Sequence, residues 1–174
     1  MFSVRKIRKT KLLSLICLAI LLTLSSVSFT GAFAIDTESV TYRDGDVTLE
    51  GYRAAPEKIE ESTPGILIIH QWKGLGEYEK RRARQLARMG YVAFAADIYG
   101  ADTRPSTNPE AAIASSTFRD NRNFYRRRAK IALDVLREDQ QVRSDDLAAI
   151  GYCFGGTGVL ELARAGVNID AVVS

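Results

Sequence analysis

The feature that most constrains this chain is a set of short, wholly apolar runs separated by segments of helical period. Gly65-Ile66-Leu67-Ile68-Ile69 is apolar at consecutive positions, so both of its faces need cover, as in a strand buried between two helical layers. Tyr91 to Asp97 (YVAFAAD) and Leu147 to Gly151 repeat the pattern, and Ile169 to Ser174 opens one more such strand. Between them the period changes from two to 3.6. From Gly76 to Gly90, Tyr78, Ala83, Leu86, Ala87 and Met89 form an apolar stripe among arginines, lysines and glutamates. A second helix is predicted from Asn123 to Arg137 and a third from Gly155 to Ala165, ended by Gly166. Ahead of these, Ser39 to Tyr42 and Val47 to Tyr52 alternate apolar and polar residues around Asp44-Gly45, the signature of an antiparallel hairpin. Ala54 to Pro64 reads as a polar loop. Residues 99 to 117 read as a long surface loop with a turn of helix around Glu110 to Ala114. The order predicts an α/β fold: a hairpin, then a mostly parallel sheet with helices on both faces.

Residues 1 to 34 stand apart from this pattern. Five basic residues (Arg5, Lys6, Arg8, Lys9, Lys11) precede the apolar run Leu12 to Leu24, and Ala32-Phe33-Ala34 offers small residues at the positions a signal peptidase reads. The expectation is a signal peptide cleaved after Ala34 and an exported protein, periplasmic or secreted. The alternative is a membrane anchor over residues 12 to 30, although the apolar run is short for a span of about 20 residues. Five of the 24 basic residues and none of the 21 acidic ones fall in the leader, so the remainder carries a net charge of −2. The whole-chain charge of +3 therefore belongs to the leader and gives no support to nucleic-acid binding. The composition, 46% hydrophobic and 26% charged, is that of an ordinary globular domain, residues 35 to 174.

Of the two cysteines, Cys17 lies in the leader, which leaves Cys153 as a lone thiol in Gly151-Tyr152-Cys153-Phe154-Gly155-Gly156. This is the GxSxG pattern with cysteine in place of serine, and it falls between an apolar run and a helical segment. Glycines at 151 and 155 let a strand and a helix pass close to a strained residue at a sharp turn. The turn exposes the side chain and leaves the N–H of Phe154 free at a helix N-terminus. The rival reading is a packed core cysteine at a strand end.

At these residues, and over Gly65 to Gly100 (GILIIHQWKGLGEYEKRRARQLARMGYVAFAADIYG) and Ala148 to Gly156 (AAIGYCFGG), the chain resembles the dienelactone hydrolase family of α/β-hydrolases. The resemblance runs from the hairpin to the last residue. It implies a Cys-His-Asp triad acting on esters or lactones, with Cys153 as nucleophile and no metal or organic cofactor. The oxyanion hole would be the backbone N–H groups of Phe154 and Trp72. The Trp72 side chain could serve as a lid or core aromatic. Where the family commonly has His-Glu-Trp, this chain has His70-Gln71-Trp72, and Gln71 cannot accept a proton from a thiol.

A cysteine nucleophile needs a base. The chain has one histidine, His70, which precedes the cysteine, whereas triad order in this fold is nucleophile, acid, histidine. His70 and Gln71 are candidates for loop-shaping or pocket-lining roles. The triad aspartate and histidine are expected beyond Ser174, in a sequence that stops in mid-strand. The residues shown are expected to be inactive alone. The readings carried forward are an ester or lactone hydrolase with a small-molecule substrate, a catalytically silent binding module of the same fold, and an acyltransferase. Arg126-Arg127-Arg128 is expected to be a solvated helix face paired with Asp120, Asp134 and Glu138, rather than an anion site.

Overall fold

The computed structural model describes residues 34–59 and 61–174. The leader through residue 33, including the apolar run and Cys17, lies outside the described residues. Six strands form one sheet: β1 (Ile35–Asp44), β2 (Val47–Pro56), β3 (Thr63–Ile69), β4 (Val92–Ala96), β5 (Val142–Gly151) and β6 (Ala171–Val173). Their order across the sheet is β1-β2-β4-β3-β5-β6. The β1–β2 and β2–β4 pairs are antiparallel and the β4–β3, β3–β5 and β5–β6 pairs parallel, which is the predicted hairpin followed by a parallel sheet. Among the described residues four α-helices accompany the sheet: α1 (Glu77–Ala87), α2 (Asn108–Asp120), α3 (Arg122–Arg137) and α4 (Phe154–Arg164).

The doubly apolar strands behave as their sequence requires. On β3, Ile66 and Ile68 pack with Ala93 and Ala95 of β4 against Ala83, Leu86 and Ala87 of α1. Leu67 and Ile69 face the other way, into a larger core with Leu133 and Leu136 of α3 and Val159 and Leu162 of α4. Side chains alternate across a strand, so one apolar run supplies both cores. Each fully buried aliphatic residue contributes about 1.5–3 kcal/mol relative to its exposed state.

Several predicted boundaries move. The hairpin is longer than expected: β1 and β2 have ten residues each, paired in register from Ile35 with Pro56 to Asp44 with Val47. The stretch read as a loop, residues 54 to 64, includes the last residues of β2 and the first of β3. Strand β5 starts at Val142, and a register irregularity opposite Thr63 and Gly65 joins its polar first half to the apolar second half. The largest correction is α2, a thirteen-residue helix where a long surface loop was expected. Its start was legible. Thr107 accepts from the Glu110 N–H, the Glu110 side chain reaches back to the Thr107 N–H, and Pro109 sits in the first turn.

The arginine cluster is also corrected. Arg128 is 1% exposed, pairs with Asp44 at 2.9 Å and donates to the Ile98 carbonyl at 2.9 Å, so it fastens α3 to the hairpin tip and the end of β4. Arg127 also pairs with Asp44, and Arg126 pairs with Glu161 of α4. Only Asp134, of the three acids expected to face this cluster, has cationic partners among the described residues, and they are Lys130 and Arg137. Periodicity gave Ala129, Ala132 and Leu136 as buried positions but left Arg128 on the solvated face, and the acids that hold the cluster lie on other elements. Among the described residues no helix is long and apolar enough to cross a membrane.

Candidate active site

Strands β3 and β5 are neighbours and end in register, Ile69 opposite Gly151. The two segments that follow, His70 to Gly76 and Tyr152 to Phe154, therefore leave the sheet side by side at the carboxyl ends of parallel strands, where ligands bind in open α/β sheets. The Tyr152 N–H still donates to the Ile69 carbonyl, at 3.3 Å.

Cys153 then turns the chain sharply. Its φ of 54° and ψ of −108° make it the single non-glycine residue with positive φ among the described residues, and the conformation costs about 1–3 kcal/mol. Close packing enforces it. A Cβ at Gly155 would lie 2.1 Å from the Ile69 carbonyl oxygen, and one at Gly151 would lie 2.1 Å from the Gly155 oxygen. Only glycine permits α4 to start this close to the strand ends. Cys153 is the N-cap of α4, its side chain makes no capping hydrogen bond, and it is exposed. The N–H of Phe154 opens the helix and meets no acceptor among the described residues. The Phe154 ring is buried and stacks on His70 (centroids 5.6 Å apart) and Tyr125 (4.6 Å).

The facing segment is held differently. Glu79, in the first turn of α1 and 3% exposed, accepts from the Gly76 N–H at 3.0 Å and the Gln71 N–H at 3.4 Å, so one carboxylate closes both ends of the turn. The Tyr99 hydroxyl donates to the Trp72 carbonyl at 2.8 Å, and the Gln71 carbonyl accepts from Gly74. The Trp72 N–H, like that of Phe154, meets no acceptor among the described residues. Gln71, Trp72 and Lys73 border a cavity of about 330 Å³ that reaches Tyr78 and Glu79.

His70 is fully buried and both its nitrogens are engaged. Nδ1–H donates to the Gln71 carbonyl at 2.6 Å and Nε2 accepts from the Ile98 N–H at 3.2 Å. Burial lowers its pKa from the ordinary histidine value, outweighing the opposing hydrogen bond and the nearby carboxylates. It is a neutral clasp between the ends of β3 and β4, with no nitrogen available to a thiol. Asp97, also fully buried, is likewise committed: its carboxylate accepts from the N–H groups of Glu50, Tyr99 and Gly100 and pairs with Arg104.

The structure thus brings Cys153, Phe154 and Trp72 to one end of the sheet and places Gln71 beside them, with His70 beneath. Sequence reasoning missed Glu79, Tyr99 and Tyr125. The Gly76-to-Glu79 spacing could have signalled the first, since a glutamate three residues past an N-cap commonly reaches back to it. Nothing local marks the tyrosines, whose partners are 27 and 29 residues away. Burial raises the pKa of both phenols well above the tyrosine range.

A parallel sheet preceded by an antiparallel hairpin, with a strained residue between a strand and its following helix, defines an α/β-hydrolase. The chain belongs to the dienelactone hydrolase family, whose model matches residues 49–174. The solved structure of a dienelactone hydrolase-like promiscuous phosphotriesterase from metagenomic libraries is similar at a TM-score of 0.76 and 35% identity, covering 80% of this chain and 58% of that one. A protein of Bradyrhizobium named "Probable 2-oxo-3-(5-oxofuran-2-ylidene)propanoate lactonase" is 31% identical over 103 residues, 58% of this chain and 41% of its own. Protein usf of Aquifex pyrophilus is 28% identical over 125 residues, 69% of this chain and 52% of its own. The chain spans about half the length of these curated relatives or less.

Proposed function

We propose that the full-length protein hydrolyses carboxylic esters or lactones through an acyl-enzyme on Cys153. The observation that carries this reading is the backbone of Cys153, held at positive φ at the head of α4 with its thiol exposed and the next N–H free. Strained residues of this kind persist where the surroundings over-determine them, and they cluster at functional sites. Burial cannot account for the residue, because the side chain is exposed.

In the proposed reaction the substrate carbonyl oxygen points at the N–H groups of Phe154 and Trp72. The Cys153 sulfur attacks the carbonyl carbon and a tetrahedral oxyanion forms between the two donors, each worth about 2.7–4 kcal/mol of barrier when well placed. A histidine accepts the thiol proton and returns it to the departing alkoxide, leaving a thioester on Cys153. Water, deprotonated by the same histidine, then releases the acid and restores the thiol. His70 cannot serve, because both of its nitrogens are occupied and it is fully buried. The proposal therefore assigns the base and its aspartate to sequence beyond Ser174. The length of the relatives agrees with that assignment.

The substrate class is a small-molecule ester or lactone; the names of the relatives offer a furanylidene lactone and phosphotriesters as compounds to try. Hydrolysis of p-nitrophenyl acetate by the full-length protein, abolished in Cys153→Ala, tests the proposal; full turnover in that variant would overturn it. We also propose that the protein is exported, on the strength of its basic and apolar leader. N-terminal sequencing of protein recovered outside the cytoplasm should begin at Ile35, and recovery of intact Met1 chains from the cytoplasm alone would refute export.

A further inference from the structure

Tyr125 is fully buried in the first turn of α3, far in sequence from the elbow, yet both its ring and its hydroxyl meet Phe154. Its ring stacks on the Phe154 ring at 4.6 Å with the planes 13° apart. Its hydroxyl donates to the Phe154 carbonyl at 2.9 Å. The backbone N–H of Gly158, one turn further along α4, is the helical donor to the same Phe154 carbonyl. Room for the hydroxyl exists because residue 158 is glycine: a Cβ there would lie 2.7 Å from the tyrosine oxygen and 2.8 Å from its ring. A phenol has thus been let into the side of the first helical turn, against the residue that follows the nucleophile. Burial raises its pKa far above the tyrosine range, so it stays a neutral donor.

We propose that Tyr125 is a positioning residue for the oxyanion site: by holding the ring and the carbonyl of Phe154 together, it fixes the direction of the Phe154 N–H and keeps Cys153 in its strained turn. The inference rests on the reading of Cys153 as nucleophile and Phe154 N–H as oxyanion donor. The Phe154 N–H lies in the peptide plane shared with Cys153, whose carbonyl accepts from the Gly156 N–H at 3.1 Å, so its aim at the site follows where the Phe154 Cα is held. For Phe154 the anchors are two stacked rings, His70 and Tyr125, and two donors to its carbonyl, the helical Gly158 N–H and the Tyr125 hydroxyl. Removing the hydroxyl leaves the stack and the helical bond from the Gly158 N–H but deletes one of the two donors to the Phe154 carbonyl, so the first residue of α4 and its N–H can shift from the position the developing oxyanion needs. Small misplacements of this kind slow chemistry without weakening ground-state binding.

The test is Tyr125→Phe in the full-length protein, assayed by stopped-flow with p-nitrophenyl acetate and normalised to sites titrated by the acylation burst. The expected result is a fall of about tenfold in the acylation rate per titrated site, with KM changed by less than about twofold. A second variant, Gly158→Ala, crowds the hydroxyl from the other side and should produce the same split between rate and KM. If Tyr125 merely packs the core, both variants lose thermal stability but acylate at the wild-type rate per site, and the inference is overturned. The underlying reading fails separately and visibly: wild-type protein would then show no burst and no acyl group on Cys153.

Discussion

The two segments that meet at the end of the sheet are held by opposite means. The Cys153 elbow is shaped by contact: glycines at 151 and 155 bring backbone against backbone, and their Cβ atoms would intrude to 2.1 Å. The turn from Gln71 to Gly76 is shaped by polar side chains that arrive from elsewhere, Glu79 from α1 and Tyr99 from beyond β4. A steric device is hard and local, whereas a hydrogen-bonded one is softer and spread over several elements. The difference teaches where each half of the site should break.

The hardest break is predicted at the elbow. Gly155→Ala pushes a methyl into the Ile69 carbonyl and should destabilise the protein by at least about 3 kcal/mol, read from urea unfolding. A loss below about 1 kcal/mol would show that the helix and strand can separate, and the contrast between the two segments would disappear.

The facing turn should yield less. Glu79→Ala leaves the Gly76 and Gln71 N–H groups without their carboxylate and should cost about 2 kcal/mol, and Glu79→Gln should recover at most half of it, because its single amide oxygen can accept from only one of the two. If Glu79→Ala proves as damaging as Gly155→Ala, the turn is as rigid as the elbow.

His70 joins the two segments and gives the comparison a pH axis. Its folded pKa is lowered by burial, so between the folded and unfolded values the unfolded chain binds more protons. Stability is full above the unfolded value near 6.5 and falls as the pH drops below it, by up to about 1.4 kcal/mol per pH unit. Urea midpoints measured between pH 7.5 and 5.5 should show this slope, and His70→Gln, which keeps a side-chain acceptor, should flatten it. An equal slope in both proteins would mean that the imidazole is protonated in place.

The smallest effect belongs to Tyr99→Phe, which removes one hydrogen bond to the Trp72 carbonyl and should lower stability by about 1 kcal/mol. In the full-length protein the same variant should lower kcat more than it raises KM, because the carbonyl it releases belongs to Trp72, the proposed second oxyanion donor. An unchanged kcat would remove Trp72 from the site.

The same contrast explains what was legible in the sequence. The doubly apolar runs at Ile66 to Ile69 and Val92 to Ala96 could be read as buried strands, because each exposes its burial pattern residue by residue. The elbow could be read for a related reason: a close approach leaves glycines at fixed offsets from the residue it serves. Hydrogen bonds from remote side chains leave no such trace. Glu79 looks like any helix glutamate, Tyr99 and Tyr125 like core aromatics, and Arg128 like one member of a solvated run, until the fold brings Asp44 to it from 84 residues away. Helix α2 was a different kind of miss. Its capping box was present in Thr107 to Glu110, but Gly100, Pro105 and Pro109 around it read as loop, and its weakly amphipathic sequence offered little periodicity to outweigh them.

The central claim is that Cys153 carries the acyl group. Rapid acid quench of the full-length protein after mixing with p-nitrophenyl acetate, followed by peptide mass spectrometry, measures this directly. The account predicts an acetyl increment on the peptide containing Cys153, formed during the burst and lost on the timescale of turnover. Steady hydrolysis with that peptide unmodified throughout, or with the acetyl group on another residue, would contradict it.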